Sequence, residues 1–288
     1  MCLRFLLASV SLILLAGCVQ GPAAPSARPA GFQVDGTALI DATGAPFVMR
    51  GINQPHAWQR DRTFTVLPQI ADTGANMVRV SLSSGDPWGK TPVAEVARII
   101  DTAKANQLVV MLTVHNTTGF GQQDWAVSQP DTIPYWLSLR EVLAGQEAYV
   151  LINPGNEPTG NTLSGEAWKG QTIETLQALR RAGFTHTLVF DAHGWGQDGD
   201  GAMRAMAPEI FAADPLANTM FSVHMYQVYD TPAEIEDYFA AFRAMDLALI
   251  VGEFGMDHQG EPVDEPVVVE DIVMPFIEIE DDAVTVIE

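Results

Sequence analysis

An α/β fold, specifically a (β/α)8 TIM barrel with an N-terminal β-hairpin, is predicted from three observations on this sequence of 288 residues. Short apolar runs alternate with helical patterns at about thirty residues per unit, the size of one strand-plus-helix step. Seven such runs are present, and each ends in polar residues. Two of them, YVLINPGNEP (Tyr149 to Pro158) and LALIVGEFG (Leu247 to Gly255), deliver a glutamate at the point where a buried parallel strand opens into a mouth.

At the amino terminus, Met1 to Gly17 carries one positive charge, Arg4, followed by an apolar run too short to span a membrane as a helix. It reads as a secretory signal. The sequence Leu15-Ala16-Gly17-Cys18 resembles a bacterial lipobox, so Cys18 is expected to be lipidated and to become the first residue of an exported, membrane-anchored lipoprotein. Cys2 would leave with the signal, which excludes a disulfide framework in spite of export. Residues 18–31 are rich in Pro, Ala, Gly and Ser and read as a flexible tether, leaving 32–288 as one catalytic domain.

Phe32 to Phe47 has two short alternating runs around Asp35-Gly36 and a second turn at Thr43-Gly44, a hairpin expected to plug the barrel floor. Strands are then predicted over Phe47–Asn53, Asn76–Leu82, Leu108–His115, Tyr149–Asn156, Thr187–Ala192, Thr219–Met225 and Ala248–Phe254. Helices are predicted over Thr65–Thr73, Val93–Asn106, Ile133–Leu143, Gly165–Ala182, Gly201–Phe211 and Ala233–Met245. A dinucleotide-binding alternative is excluded by the absence of GxGxxG after the early strands. After Asp257 the pattern changes: Glu261 to Glu288 holds ten acidic side chains and no Lys or Arg. The eighth unit is therefore expected to be atypical or incomplete, through truncation or an altered frame, with Ala283 to Ile287 the stretch that could close the barrel.

The net charge of −21 excludes a nucleic-acid partner, which needs clustered Lys and Arg, and favours an uncharged substrate. Polar residues fall at every strand end: Asn53 and His56, Arg79, His115, Asn156 and Glu157, His193, His224 and Tyr226, and Glu253. Glycoside hydrolysis needs one carboxylic acid to protonate the leaving oxygen and a second carboxylate to attack or to activate water, and Glu157 with Glu253 can supply both. Arg79 and Tyr226 are suitable neighbours for keeping Glu253 ionised, and Asn156 for holding a sugar hydroxyl. His115 and His224 suit orienting the carboxylates and binding hydroxyls. The loop tryptophans Trp58, Trp88, Trp125 and Trp195 could offer flat faces to sugar rings, whereas Trp136 and Trp168 lie in helical patterns and read as packing. The histidines lack compact metal-ligand spacing, and Asp198-Gly-Asp200-Gly starts like a calcium loop but lacks its closing glutamate, so neither metal nor cofactor is expected.

RGINQPHAW (Arg50 to Trp58), NMVRVSLSSG with Trp88 following, VHNTTGFG (Val114 to Gly121), GQEAYVLINPGNEPTGN (Gly145 to Asn161), HTLVFDAHGWGQD (His186 to Asp198), FSVHMYQVY (Phe221 to Tyr229) and LIVGEFG (Leu249 to Gly255) together resemble bacterial endo-β-1,4-mannanases of glycoside hydrolase family 5. The resemblance runs in order from about Phe32 to about Asp257. It implies a retaining, monomeric endo-glycosidase acting on a β-mannan-type polysaccharide, with Glu157 as acid/base and Glu253 as nucleophile. It implies Arg79, His115, Asn156, His224 and Tyr226 as the surrounding shell, and His56 and Trp195 as sugar contacts. VHNTTG departs from the VHDTTG usual in that family, and no Trp follows Trp195 to floor the central sugar site. That absence predicts weakened substrate binding and turnover. A β-1,4-glucanase is the alternative within the family, and a catalytically inactive carbohydrate-binding lipoprotein the alternative outside it.

Overall fold

The computed structural model describes residues 30–226 and 228–255, with the backbone of 257–258 and 261–262. The expectations for the signal, for Cys18, for nearly all of the tether and for an eighth strand at Ala283–Ile287 lie outside these residues.

The described chain begins with the predicted hairpin, β1 (Gln33–Asp35) paired antiparallel to β2 (Ala38–Ile40). Seven parallel strands follow in spatial order: β3 (Gly51–Gln54), β4 (Met77–Leu82), β5 (Val109–Val114), β6 (Val150–Asn153), β7 (Leu188–Asp191), β8 (Thr219–Met225) and β9 (Leu249–Phe254). The sheet curls into a nearly closed barrel. Its first and last strands approach closely enough for the Asn53 side-chain amide on β3 to donate to the Gly252 carbonyl on β9 at 3.3 Å. Beyond β9, Asp257–His258 pairs antiparallel with Glu261–Pro262.

Continuous apolar runs form these strands because both faces are covered. On β4, Val78, Val80 and Leu82 point outward into a large apolar layer shared with the helices, while Met77, Arg79 and Ser81 alternate with them on the inner face. The inner face is graded. Its lowest positions, Met77, Met111, Leu151, Val189, Met220 and Ile250, make an apolar floor with Phe32 and Leu39 of the hairpin region. Higher positions are polar: Arg79, Thr113, Asn153, Asp191, Ser222 and His224. The hairpin thus seals the end of the barrel opposite the polar mouth. It is fastened by the Phe32 amide to the Glu147 carbonyl (2.9 Å) and the Val34 amide to Asn218 Oδ1 (3.0 Å).

The outer layer holds α1 (Arg60–Asp72), α2 (Val93–Ala105), α3 (Ile133–Ser138), α4 (Arg140–Leu143), α5 (Gly165–Arg181), α6 (Ala202–Ala212) and α7 (Pro232–Met245). In α5, Trp168, Thr172, Thr175, Leu176 and Leu179 form one buried stripe at helical spacing, and Ser164 caps its start by accepting the Ala167 amide at 3.2 Å. A reciprocal Thr231–Glu234 capping box starts α7.

Three elements differ from expectation; of these, α1 begins at Arg60, five residues before the expected Thr65. The first barrel strand begins at Gly51 rather than Phe47, because the Phe47 amide bonds back to the Leu39 carbonyl (2.7 Å) and so belongs to the floor. The single helix expected over Ile133–Leu143 is two short ones. The Ser138 hydroxyl bonds back to the Tyr135 carbonyl (2.6 Å), and Leu139 flattens to φ −91°, ψ −4°, closing the turn early. Asp198, in the loop that resembled a calcium site, instead caps α6: its carboxylate accepts the Met203 amide (2.6 Å), the Arg204 amide (3.1 Å) and the Tyr238 hydroxyl (2.8 Å).

Candidate active site

The polar mouth is built upward from one buried cation. Arg79, on the inner face of β4 and 1% exposed, directs its guanidinium to the mouth, where Nη1 donates to Glu253 Oε1 at 2.6 Å. Its Nη2 reaches Asn156 Oδ1 (2.6 Å), Asn153 Oδ1 (2.9 Å) and Asp191 Oδ2 (3.2 Å). One side chain therefore sets the relative positions of groups from β6, β7 and β9.

Glu157 sits four residues past the end of β6, in the turn Pro154-Gly155-Asn156-Glu157, with φ +39°. Positive φ is uncommon away from glycine, so the surroundings must hold this backbone. They do so through hydrogen bonds to its own backbone and to that of its neighbours. The Glu157 amide donates to Asp191 Oδ2 (3.1 Å), and its carbonyl accepts the Gly119 amide (2.9 Å). The Asn156 carbonyl accepts the Thr117 hydroxyl (2.6 Å), and the Pro154 carbonyl accepts the Trp136 indole N–H (3.0 Å). Trp168 likewise donates to the Asp191 carbonyl at 3.1 Å, so the two packing tryptophans also brace the site from below.

His224 lies between the acids. Its Nδ1 is 2.9 Å from Glu157 Oε1 and 3.8 Å from Glu253 Oε2, and its Nε2 is 3.3 Å from Asp191 Oδ2. The register that aims it is irregular: Val223 pairs with Val251 but His224 with Glu253, so Gly252 is an extra residue, a β-bulge. A side chain at Gly252 would meet Ser222 Oγ and His224 Nε2, which explains glycine there. Gly196, at φ +71°, faces the other side of the imidazole, and a Cβ would sit 2.7 Å from Nδ1. Tyr226 completes the group by donating its hydroxyl to Glu253 Oε2 at 3.1 Å.

Glu157 and Glu253 each offer an oxygen within 4.8 Å of the other's. An oxygen-to-oxygen approach this short is compatible with the roughly 5–5.5 Å separation of carboxyl groups in retaining glycosidases. Their side chains are 12% and 16% exposed, while His224, Arg79 and Asp191 beneath them are almost fully covered. The environments drive the two acids apart. Burial outweighs the neighbouring cation and raises Glu157 to about 7. Burial also opposes ionisation of Glu253, but His224, Arg79 and His115 outweigh it and bring that acid down to about 2. For His224 burial favours the neutral ring, yet Glu253, Asp191 and Glu157 overcome it and raise the imidazolium to about 10. His115 is pushed by burial down to about 3, a neutral ring beside Glu253. Two carboxyls with separated protonation preferences are what acid/base and nucleophilic roles require.

Glu157, His224 and Glu253 are also the described side chains with spacing suited to a metal. A doubly flanked imidazolium has no lone pair to give a cation, so this arrangement favours proton handling over metal binding.

The other sequence-predicted residues separate into two sets. Trp58, Trp88 and Trp125 form a chain of rings, 4.9 Å between the first two centroids and 5.3 Å between the last two, and His115 lies 5.1 Å from Trp58. This makes an aromatic wall beside Glu253. Trp195, in the loop after β7, donates its indole N–H to Gln122 Oε1 (3.0 Å) and packs over Gly119, both in the loop after β5 that also carries Trp125. His56, expected as a sugar contact, has no accessible side-chain surface, and its ring nitrogens meet Thr63 Oγ1 (2.9 Å) and Glu95 Oε2 (3.1 Å). It is a structural histidine that presents nothing to a ligand. His193 is similarly engaged, with the Leu163 carbonyl (2.8 Å) and Asp200 (3.1 Å).

Two buried residues at the centre, Asp191 and Asn153, were not anticipated from sequence. The signal lay in alternation: both occupy inward positions of their strands, where the residues two places earlier, Val189 and Leu151, belong to the apolar floor.

Comparison with known proteins gives a concordant picture. Residues 40–274 match the family described as cellulase (glycosyl hydrolase family 5). The chain is 49% identical over 235 residues to a mannan endo-1,4-beta-mannosidase of Cellvibrio japonicus (strain Ueda107), a match covering 82% of this chain and 54% of the relative. It is 45% identical over 250 residues to a mannan endo-1,4-beta-mannosidase of Streptomyces lividans, covering 86% and 64%. The chain thus spans between about half and two thirds of the length of these two relatives. Among solved structures, the mannohexaose complex of Thermomonospora fusca beta-mannanase superposes with a TM-score of 0.76 at 45% identity, covering 78% of this chain and 76% of that one.

Proposed function

Because the chain belongs to glycosyl hydrolase family 5, we propose that it is a retaining endo-β-1,4-mannanase, hydrolysing internal linkages of mannan, glucomannan or galactomannan. The observation that carries the reading is the pair Glu157 and Glu253, with oxygens within 4.8 Å at one mouth and opposite protonation preferences. Relatives at 45–49% identity that are named mannan endo-1,4-beta-mannosidases support the substrate class.

In the first step the ionised Glu253 attacks the anomeric carbon while Glu157 gives its proton to the glycosidic oxygen, so the leaving chain departs neutral. In the second, Glu157, now a carboxylate, takes a proton from water. The resulting oxygen attacks the same carbon and releases Glu253, and configuration at that carbon is retained. Arg79 and Tyr226 fix and stabilise the Glu253 carboxylate. Asn156, 1% exposed and tied to Arg79 and to the Thr118 hydroxyl (2.8 Å), holds the guanidinium rather than a sugar, while half-buried His115 offers its ring edge to sugar hydroxyls. The Trp58–Trp88–Trp125 wall offers apolar ring faces, and Trp195, packed against the loop that carries Trp125, a further one. For export, we propose anchoring through Cys18 at the bacterial envelope, supported by the lipobox-like sequence.

The experiment is reducing-sugar release from glucomannan, galactomannan and carboxymethylcellulose. Preferential release from the two mannans is expected. Release from carboxymethylcellulose alone would favour the β-1,4-glucanase reading that the family description also accommodates, and no release from any would support a binding protein.

A further inference from the structure

We infer that Asp191 is a positioning residue for the acid/base step: it holds the Glu157 backbone, aims the His224 ring at the acid, and by its own negative charge opposes early loss of the Glu157 proton. This rests on the assignment of Glu157 as acid/base. Asp191 is 1% exposed at the end of β7 and cannot touch a polysaccharide. Its Oδ2 nevertheless collects the Glu157 amide (3.1 Å), Arg79 Nη2 (3.2 Å) and the ion-pair contact from His224 Nε2 (3.3 Å), while Oδ1 accepts Asn153 Nδ2 at 3.0 Å.

Three features make this more than a counter-ion for Arg79. First, Arg79 already has Glu253 at 2.6 Å, so a second carboxylate is not required to neutralise it. Second, the imidazole of His224 lies between Glu157 on Nδ1 and Asp191 on Nε2, so Asp191 fixes the ring that meets the acid, while Glu253, 3.8 Å from Nδ1, supports the ring's charge independently. Third, the amide that Asp191 holds belongs to the residue whose φ is +39°, so the same oxygen aims the acid it serves.

The ionisable groups facing this line are Arg79 from β4, His115 beyond β5, Glu157 beyond β6, His224 from β8 and Glu253 from β9. Asp191→Asn keeps the shape and an oxygen acceptor but removes the negative charge. Glu157 then loses its proton at lower pH, because the nearby like charge that opposed ionisation is gone while His224, still flanked by Glu157 and Glu253, stays cationic.

The test compares kcat/KM, which reports glycosylation, on mannopentaose and on a dinitrophenyl β-mannobioside whose leaving group needs no proton. For Asp191→Asn the expectation is a loss of at least tenfold on mannopentaose and less than threefold on the activated substrate. The alkaline limb on mannopentaose should move down by about one pH unit. Equal losses on both substrates with an unshifted profile would overturn the inference and leave Asp191 as scaffold. Should the variant not fold, histidine-labelled nitrogen NMR of the intact protein decides. His224 with both ring nitrogens protonated to above pH 8 supports the inference, and a neutral ring at pH 7 overturns it. The NMR readout does not depend on turnover, so an intact protein inactive on every β-mannan and β-glucan would refute the proposed function without bearing on the ring's charge.

Discussion

Replacing Arg79 by Met keeps most of the side-chain volume and removes the cation on which the mouth is built. Glu253 is 2.6 Å from Nη1, with the charge centres roughly 4 Å apart, where an effective dielectric of about 20 gives an attraction of about 4 kcal/mol, or about three pKa units. The variant's Glu253 should therefore titrate near 5 instead of about 2. In the native protein this carboxyl is depressed below its unfolded value of about 4.5. It contributes on the order of 3 kcal/mol of stability that is present above pH 4.5 and lost as pH falls towards 2. Without Arg79, Asp191 and Glu253 keep their neutral donors but are buried acids sharing His224 as their cation at pH 7, and breaking such an arrangement costs about 3–5 kcal/mol. Acid then relieves the variant while it destabilises the native protein. Urea unfolding at pH 7 and pH 4 should show a gap of several kcal/mol that narrows by at least 1 kcal/mol at the lower pH. A gap below about 1 kcal/mol at pH 7, or one that does not change with pH, would refute the reasoning.

Three further outcomes are expected. Mannan hydrolysis should fall with rising pH through about 7 as Glu157 loses its proton, and persist far into acid because Glu253 stays ionised to about 2; an alkaline limb above pH 9 would contradict the assignment of the acid. His56→Ala should lower stability by about 2–4 kcal/mol through a buried void and a Thr63 hydroxyl left with the Gln54 amide as its remaining partner, with KM unchanged in the folded fraction, whereas a raised KM at native stability would restore it as a sugar contact. Cys18→Ser should move the protein from the membrane fraction to the soluble one without changing its melting temperature, and retention in the membrane would sink the anchor proposal.

The strands were legible because burial on both faces writes an uninterrupted apolar run, and the two glutamates because each ends such a run at a polar turn. Asp191 and Asn153 were hidden by the same rule: a single polar residue inside a buried run looks like an imperfection until strand pairing shows which face it occupies. His56 misled because a histidine just past a strand end reads identically whether it faces the mouth or turns back onto α1 and α2. What decides is Glu95, thirty-nine residues away on α2, a pairing no local pattern contains. The bulge at Gly252, which brings His224 level with Glu253, is likewise a property of two strands together, although the glycine marks the place.

The central claim is double displacement on a β-mannan by Glu157 and Glu253. The most direct measurement is proton NMR of mannopentaose hydrolysis in its first minutes, before the new reducing end mutarotates. The account predicts that the first product carries the β-anomer, the configuration of the bond that was cut. Initial release of the α-anomer would mean that water attacks the sugar directly, and a carboxylate pair this close would then have been assigned the wrong chemistry.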